Sequence, residues 1–451
     1  MKILHYTLGL PPFRTGGLTK YSFDLMKSEI LLGHDVFLLF PGSYTISKRN
    51  KIQNKNYCEG ISVFELLNPQ AVSLLNGIGD ASYFMRRANE NLFYNFLLKE
   101  KFNVIHIHTI MGLPIEFLLA AKKLNIQIIY TTHDYFGLCP QILKNEFLKK
   151  KCDINCITCG VAPLSKKNII IMQSKLYRKI KDKKLIKFLR RKKKKSLSES
   201  TVKNSEEIGT YSEVENENQL ELRRYYLEIF SLIDLFHFNS EIAKIEFEKY
   251  FSCDGIVIPI THSSIKDVRA IKNISKEIEP LKITYLGPQE EYKGFYLLYK
   301  VCQSLFNDNV DNWHLSFYGD TRQPEKYNHS NFSFNGRYEY EDLQEIFNQT
   351  DLLIIPSIWK ETFGFIGLEA LSYGVPILFS ENVGSACLIE DGITGLTFIS
   401  ESKYLYNQIK SVLNDRDKLV KINKNIIDMD ITFDMEQHSQ KIISLYKRRV
   451  E

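Results

Sequence analysis

Glu361-Thr-Phe-Gly-Phe-Ile-Gly-Leu-Glu369 stands between the apolar run Asp351-Leu-Leu-Ile-Ile-Pro-Ser357 and the segment Ala370-Leu-Ser-Tyr-Gly-Val-Pro376. An uninterrupted apolar run ending in Pro-Ser predicts a buried parallel strand, and Gly364 and Gly367 then open a helix through Glu369 to Tyr373. The loop between them ends on a helix N-terminus, where unpaired N–H groups and the helix dipole suit phosphate or the oxyanion of a phosphorylated leaving group. An acid placed there should meet something else. Glu369, about two turns beyond Glu361, is placed to accept hydrogen bonds from a ribose diol, and Glu361 at the loop mouth from sugar hydroxyls. Two glutamates at this spacing, taken alone, are more often a capping residue and a solvent-facing one, so the surroundings decide the reading.

Those surroundings carry a resemblance. Pro356-Ser357, Glu361, Phe363-Gly364, Glu369-Ala370 and Gly374-Val375-Pro376 together resemble the family 4 glycosyltransferases of the GT-B fold. The resemblance implies an α/β chain with two Rossmann-like, doubly wound domains facing a central cleft. It implies transfer, with retention, from a nucleoside-diphosphate sugar to a saccharide or polyprenyl-linked saccharide in bacterial cell-surface polysaccharide biosynthesis. A UDP-sugar is favoured over a GDP-sugar, and no cofactor or catalytic metal is expected, because lysine and helix dipoles neutralise the leaving group. The expected domains are 1–260, which holds the acceptor and carries an insertion at about 161–219, and 281–430, which holds the donor. A terminal helix in 431–451 is expected to pack back on the first domain.

Length and composition agree with this organisation. The 451 residues, 44% hydrophobic, can supply two cores. No stretch approaches eighteen uninterrupted apolar residues and Met1-Lys-Ile-Leu-His-Tyr-Thr7 reads as a strand, so a cytoplasmic protein is expected. Fifteen of the 59 Lys and Arg lie in residues 166–195 beside one acid, Asp182, leaving 44 cations against 52 acids elsewhere. Basicity is therefore local and excludes a general nucleic-acid binder. With Leu185, Phe188 and Leu189 interleaved, the segment predicts docking to an anionic membrane, peripheral on the inner face of the plasma membrane; the competing reading is a solvated charged face. Cys139, Cys152, Cys156 and Cys159 form a cluster in which only Cys156-Ile-Thr-Cys159 has zinc-ligand spacing. A structural zinc and a set of loop thiols are both open.

Along the chain, Lys2–Thr7, a loop containing Gly16-Gly17, a helix Thr19–Leu32 and Asp35–Phe40 make a strand-helix-strand unit. The resemblance places Gly16 and Gly17 beside the donor diphosphate; the dipeptide alone is equally a tight turn. The strands Asn103–His108 and Gln127–Thr132 both run into histidine, at the sheet end where doubly wound folds bind ligands. Thr132-His133-Asp134 resembles the motif whose histidine contacts the transferred sugar, which makes His133 a catalytic candidate and leaves His108 open. In the second half, Lys282–Leu286 leads into Gly287-Pro-Gln-Glu-Glu-Tyr-Lys293-Gly294. Lys293 matches the family cation that stabilises the departing diphosphate, but Pro288 stands where arginine is expected. Glu361, His133 and Lys293 are thus the catalytic candidates. Glu369, Gly364, Phe365, Gly16, Gly17, Arg337 and Tyr338 are the donor-binding ones, the last two framing the nucleobase. Two rivals stay open: a nucleotide-sugar epimerase on the same fold, and a catalytically silent, donor-binding scaffold.

Overall fold

A computed structural model describes residues 1–55, 58–72, 80–138, 171–174, 177, 213–276, 278–322 and 330–448. Cys139, Cys152, Cys156 and Cys159 lie outside the described residues, as does all of the basic segment 166–195 except 171–174 and 177. The chain divides into two compact units. Unit 1 comprises Met1–His237, Tyr250–Ile256 and Ile442–Glu451; unit 2 comprises Phe238–Lys249 and Val257–Lys441. Residues 238–249, assigned by sequence to the 1–260 domain, therefore cluster with the second unit.

Unit 1 is built on a sheet ordered β3-β4-β2-β1-β5-β6-β7-β8. Its central strands are β1 (Lys2–Tyr6), β2 (Asp35–Pro41), β5 (Val104–Ile107) and β6 (Gln127–Thr131). They pair in parallel with one another, with β4 (Ser62–Leu67) and with β7 (Leu235–Phe238). β3 (Lys51–Asn54) pairs with β4 in antiparallel fashion. β8 (Gly255–Val257) closes the far edge. Apart from the edge strand β3, chain order runs outward in both directions from β1, so helices cover both faces and the inner strands must be apolar on both sides. Ile3, Leu4, Ile105, Ile107, Ile128 and Ile129 are accordingly buried. Helix α1 (Gly17–Leu31) turns Leu25 and Met26 inward; Met26 packs with Val36, Leu38, Ile61 and Val63. Among the described residues, the other α-helices of unit 1 are α2 (Glu90–Glu100), α3 (Ile115–Lys123) and α4 (Glu213–Ser231).

Unit 2 carries a six-stranded, wholly parallel sheet, β11-β10-β9-β12-β13-β14. These are β9 (Leu281–Leu286), β10 (Trp313–Tyr318), β11 (Phe332–Phe334), β12 (Leu352–Ile355), β13 (Ile377–Ser380) and β14 (Leu396–Phe398). The run that opened the sequence reading is β12, and Leu352, Leu353 and Ile354 are fully buried. Chain order reverses between β9 and β12, which puts the loops after these two strands on either side of a switch point. Helices α5 (Glu241–Glu248), α6 (Phe295–Asn307), α7 (Leu343–Asn348), α8 (Phe365–Leu371), α9 (Ser402–Asn414), α10 (Asp417–Ile427) and α11 (Met435–Tyr446) complete the fold. α8 is shorter than the predicted run to Tyr373. Gly374 N–H donates to Leu371 O and Val375 N–H to Ala370 O, and these bonds turn the chain off the helix. The last turn of α11 belongs to unit 1, where Gln127 Nε2 donates to Arg448 O at 2.6 Å.

Candidate active-site residues in the two units

In unit 2 the loops after β9 and β12 bring Lys293 and Glu361 together, with Lys293 Nζ 2.9 Å from Glu361 Oε1. Both side chains are held from behind. Lys293 ends a short 3-10 turn, and Gly294 follows with φ +74 as the N-cap of α6. A Cβ at Gly294 would stand 1.7 Å from Pro356 O, so only glycine lets the two loops meet. Glu361 is pinned through its backbone: its N–H donates to Asn382 O at 2.8 Å and its carbonyl accepts from Gly384 N–H at 3.1 Å. Ser385 N–H donates to Phe363 O at 2.6 Å, and a side chain at Gly384 would collide with Thr362 O. Glu361 Oε2 overlies Gly364, the N-cap of α8. A carboxylate that is one-eighth exposed beside an ammonium that is one-third exposed is a charge pair at a surface opening, able to meet a polar ligand.

Glu369 lies two turns along, nearly buried, and meets a partner that the sequence reading missed. His262 Nε2 stands 3.1 Å from Glu369 Oε1. The His262 ring packs edge-on to Phe365 and Tyr340, so Phe365 orients the histidine that orients Glu369. Burial, and then the Glu369 charge, push the phenol pKa values of Tyr338 and Tyr340 upward. The structure thus gathers Glu369, Tyr338, Tyr340, Phe365 and His262 into one cluster, while Arg337 is exposed. No repeat or spacing links residue 262 to 369. A polar residue following the buried Ile260 was the available signal.

The loop after β9 contains a single cation, Lys293, and Pro288 donates no charge to it. Arg322 reaches this loop from the end of β10: its Nη2 donates to Gln289 O at 2.7 Å and lies 3.3 Å from Glu290 Oε1. The same guanidinium pairs with Asp320, whose carboxyl it holds down at about 2 against the upward push of burial. Arg322 is therefore a clasp that ties the loop to β10.

In unit 1, Gly16 caps α1 and Gly17 is its first residue; both are exposed. His133 and Asp134 follow β6. Burial pulls His133 down to about 3, with the neighbouring His237 adding to it, so its ring is neutral at ordinary pH. Burial raises Asp134 to about 6. Behind His133 lies a file of groups that the sequence scattered over the whole chain. His133 Nε2 is 3.2 Å from His108 Nδ1; His108 Nε2 is 3.0 Å from His5 Nδ1; His5 Nε2 is 2.6 Å from Glu29 Oε2. A second branch reaches Glu29 from the other side. Tyr446 donates to Glu29 Oε1 at 2.6 Å, and its oxygen lies 2.7 Å from His106 Nδ1. His106 Nε2 meets Thr131 Oγ1 at 2.6 Å, which in turn meets His237 Nδ1 at 2.8 Å. His5, His106 and His108 are close enough to share a metal ion, but both ring nitrogens of each are already engaged by protein groups. The parallel register that sets His5 opposite His106 was the readable clue.

Residues 267–429 match the family described as glycosyl transferases group 1. The match is confined to this stretch, about a third of the chain. The stretch contains Lys293, Glu361 and Glu369. Over 120 residues the chain is 29% identical to an uncharacterized 41.2 kDa protein in the cps region of Klebsiella pneumoniae, covering 26% of this chain and 32% of that protein. It is 22% identical over 178 residues to a D-inositol 3-phosphate glycosyltransferase of Corynebacterium glutamicum, covering 36% and 42% respectively. The chain thus matches less than half the length of these curated relatives. Anabaena HepE, solved in complex with UDP and glucose, superposes with a TM-score of 0.55 at 14% identity, covering 99% of both chains. The chain accordingly has a GT-B fold of two Rossmann-like units, with the matched stretch inside the second.

Proposed function

We propose that this protein transfers a glycosyl group from a nucleoside-diphosphate sugar to a saccharide acceptor. The observation that carries the reading is the Lys293–Glu361 pair at 2.9 Å inside the matched stretch. Lys293 offers positive charge to the departing diphosphate, and Glu361 fixes that ammonium while accepting hydrogen bonds from the donor sugar. Glu369, oriented by His262, takes the ribose diol, with Tyr338 and Arg337 beside the base. Gly364 and Phe365 line the donor side; of the unit 1 residues, Gly16 and Gly17 serve the donor diphosphate and His133 contacts the transferred sugar. The test is calorimetry with UDP and mass-spectrometric transfer assays over donor and acceptor panels. Lys293→Met should weaken UDP binding at least tenfold, about 1.4 kcal/mol. Glu361→Gln should lower kcat at least tenfold while leaving UDP affinity nearly unchanged. Wild-type behaviour in both variants sinks the assignment. Donor binding with no product across all acceptors returns the silent scaffold, and a new sugar from donor alone returns the epimerase.

The finer reading adds retention of anomeric configuration, a UDP-sugar donor, a lipid-linked acceptor in cell-surface polysaccharide synthesis and catalysis without metal. HepE's complex with UDP supports the first choice of nucleotide, and product NMR with EDTA present tests stereochemistry and metal together. Among the described residues no helix is long and apolar enough to cross a membrane. Residues 166–195 are proposed to dock the protein on an anionic leaflet at the cytoplasmic face; sedimentation with anionic but not neutral vesicles, weakened by salt, is the expected result. Elemental analysis decides whether Cys139, Cys152, Cys156 and Cys159 hold zinc.

A further inference from the structure

Glu29 is a carboxylate with no exposure to solvent, 2.6 Å from both His5 Nε2 and Tyr446 Oη. A buried charge persists only where hydrogen bonds replace its lost hydration, and short bonds from two donors do that here. With one proton on each ring, these two bonds set the direction of the others that join the histidines to Glu29. An ionised Glu29 accepts from His5 Nε2–H. With a single proton on the His5 ring, at Nε2, its Nδ1 is an acceptor, so His108 donates from Nε2 and His133 in turn donates from its own Nε2 to His108 Nδ1. The other branch obeys the same rule. Tyr446 donates to Glu29 and accepts from His106 Nδ1–H; His106 Nε2 accepts from Thr131, which accepts from His237. All bonds in both branches point at one carboxylate, without a clash of donors.

We propose that His133, His108, His5 and Glu29 form a proton relay that carries a proton accepted at the His133 ring inward to Glu29. The bookkeeping closes on three rings. A proton bonds to His133 Nδ1; the proton on His133 Nε2 passes to His108 Nδ1; the proton on His108 Nε2 passes to His5 Nδ1; and the proton on His5 Nε2 passes to Glu29 Oε2. Each imidazole ends neutral in the opposite tautomer, and one carboxylate has become a carboxylic acid. No oxidant or cofactor is involved. Transfer reverses along the same bonds. The ring planes favour this path, since His133 is stacked on His108 and His108 on His5, with centroids 5.4 and 5.3 Å apart. Burial makes charge on His133 and His108 unfavourable, which is why a proton moves on through them. The groups facing the relay are Tyr21, in ring contact with His108 and His133, along with His106, His237, His34, Tyr446 and Asp134. Tyr21 and Tyr446 hold their protons, raised by burial and by Glu29. In the proposed transfer the proton taken up is that of the acceptor hydroxyl. This use rests on the transfer reading; the relay itself does not. Glu29, three groups away, is a positioning residue.

The test uses the full chain with ¹⁵N-labelled histidine. At pH 7.5, His133, His108 and His5 should all show protonated Nε2 and unprotonated Nδ1. On acidification His133 should change tautomer, its Nδ1 becoming protonated as its Nε2 loses its proton, with no imidazolium signal. An Nδ1–H tautomer at the start, direct titration of His133 to imidazolium, or one tightly held divalent ion per chain on His5, His106 and His108 overturns the relay. In the same protein, Glu29→Gln should lower kcat at least tenfold at unchanged KM for the donor, and Glu29→Asp should recover part of it. Unchanged kcat in Glu29→Gln overturns the catalytic use of the relay while leaving glycosyl transfer standing. Absence of any transfer by wild-type protein, with the tautomer switch intact, condemns the transfer reading and spares the relay.

Discussion

Asp134 and His133 are neighbours whose protonation equilibria oppose each other. Burial raises the Asp134 carboxyl to about 6, against a 2.9 Å hydrogen bond from Phe136 N–H that acts the other way. Between about pH 6 and the unfolded value of about 3.9, the native state binds the extra proton, so this group adds stability as pH falls. His133, lowered to about 3, does the reverse. Its neutral form is compatible with the fold above about pH 6.5, and stability drains as the unfolded chain takes up protons below that. Asp134→Asn keeps the acceptor for Phe136 and removes the charge. It should raise Tm at pH 7.5, lose that gain by pH 4, and leave a steeper acid-side fall in Tm than wild type shows. A Tm difference that is flat from pH 7.5 to 4 would contradict the raised carboxyl. Position at a strand end and the resemblance of Thr132-His133-Asp134 to a family motif pointed to His133. They said nothing about Glu29, which looks in sequence like any other acid on an amphipathic helix.

Elements were legible where both faces of a strand are buried. β1, β5, β6, β9 and β12 were placed within about a residue or two, since an unbroken apolar run leaves little choice. β3 has no apolar alternation and is mostly exposed, so nothing in residues 51–54 announces a strand. α9 and α10 are strongly amphipathic but carry none of the motif residues around which the chain was read. Motif order singled out Lys293 and Glu361 separately; that they pair, like the Glu369–His262 contact, depends on packing and was not readable. Loop contact gives the element-scale prediction. Gly294→Ala forces a Cβ against Pro356 O at a positive φ, and a strained backbone position costs roughly 1–3 kcal/mol before any clash is added. The urea midpoint of unit 2 should fall clearly, and UDP affinity with it. A midpoint within error of wild type would show that the two loops do not meet as described.

At the scale of the whole molecule, α11 is shared: its residues up to Lys441 cluster with unit 2 and those from Ile442 with unit 1. Tyr446 is the residue through which its end enters the buried network, so Tyr446→Phe removes one of the two donors to Glu29 and the partner of His106 Nδ1. A hydrogen bond to a charged group is worth roughly 1.5–3 kcal/mol, and calorimetry should show unit 1 melting earlier while unit 2 holds its temperature. Equal shifts in both transitions, or none, would place the stabilising contact elsewhere. The shared helix also has a meaning in time. A ribosome delivers the chain from its N-terminus, and at about 5–20 residues per second roughly ten to forty seconds pass between the emergence of Ile256 and that of Tyr446. For that interval the histidines and the acid of unit 1 are assembled without their last hydroxyl. The N-terminal half must therefore wait, incompletely satisfied, for the C-terminal half to be made, and release of a truncated chain leaves an unfinished interior for quality control to recognise.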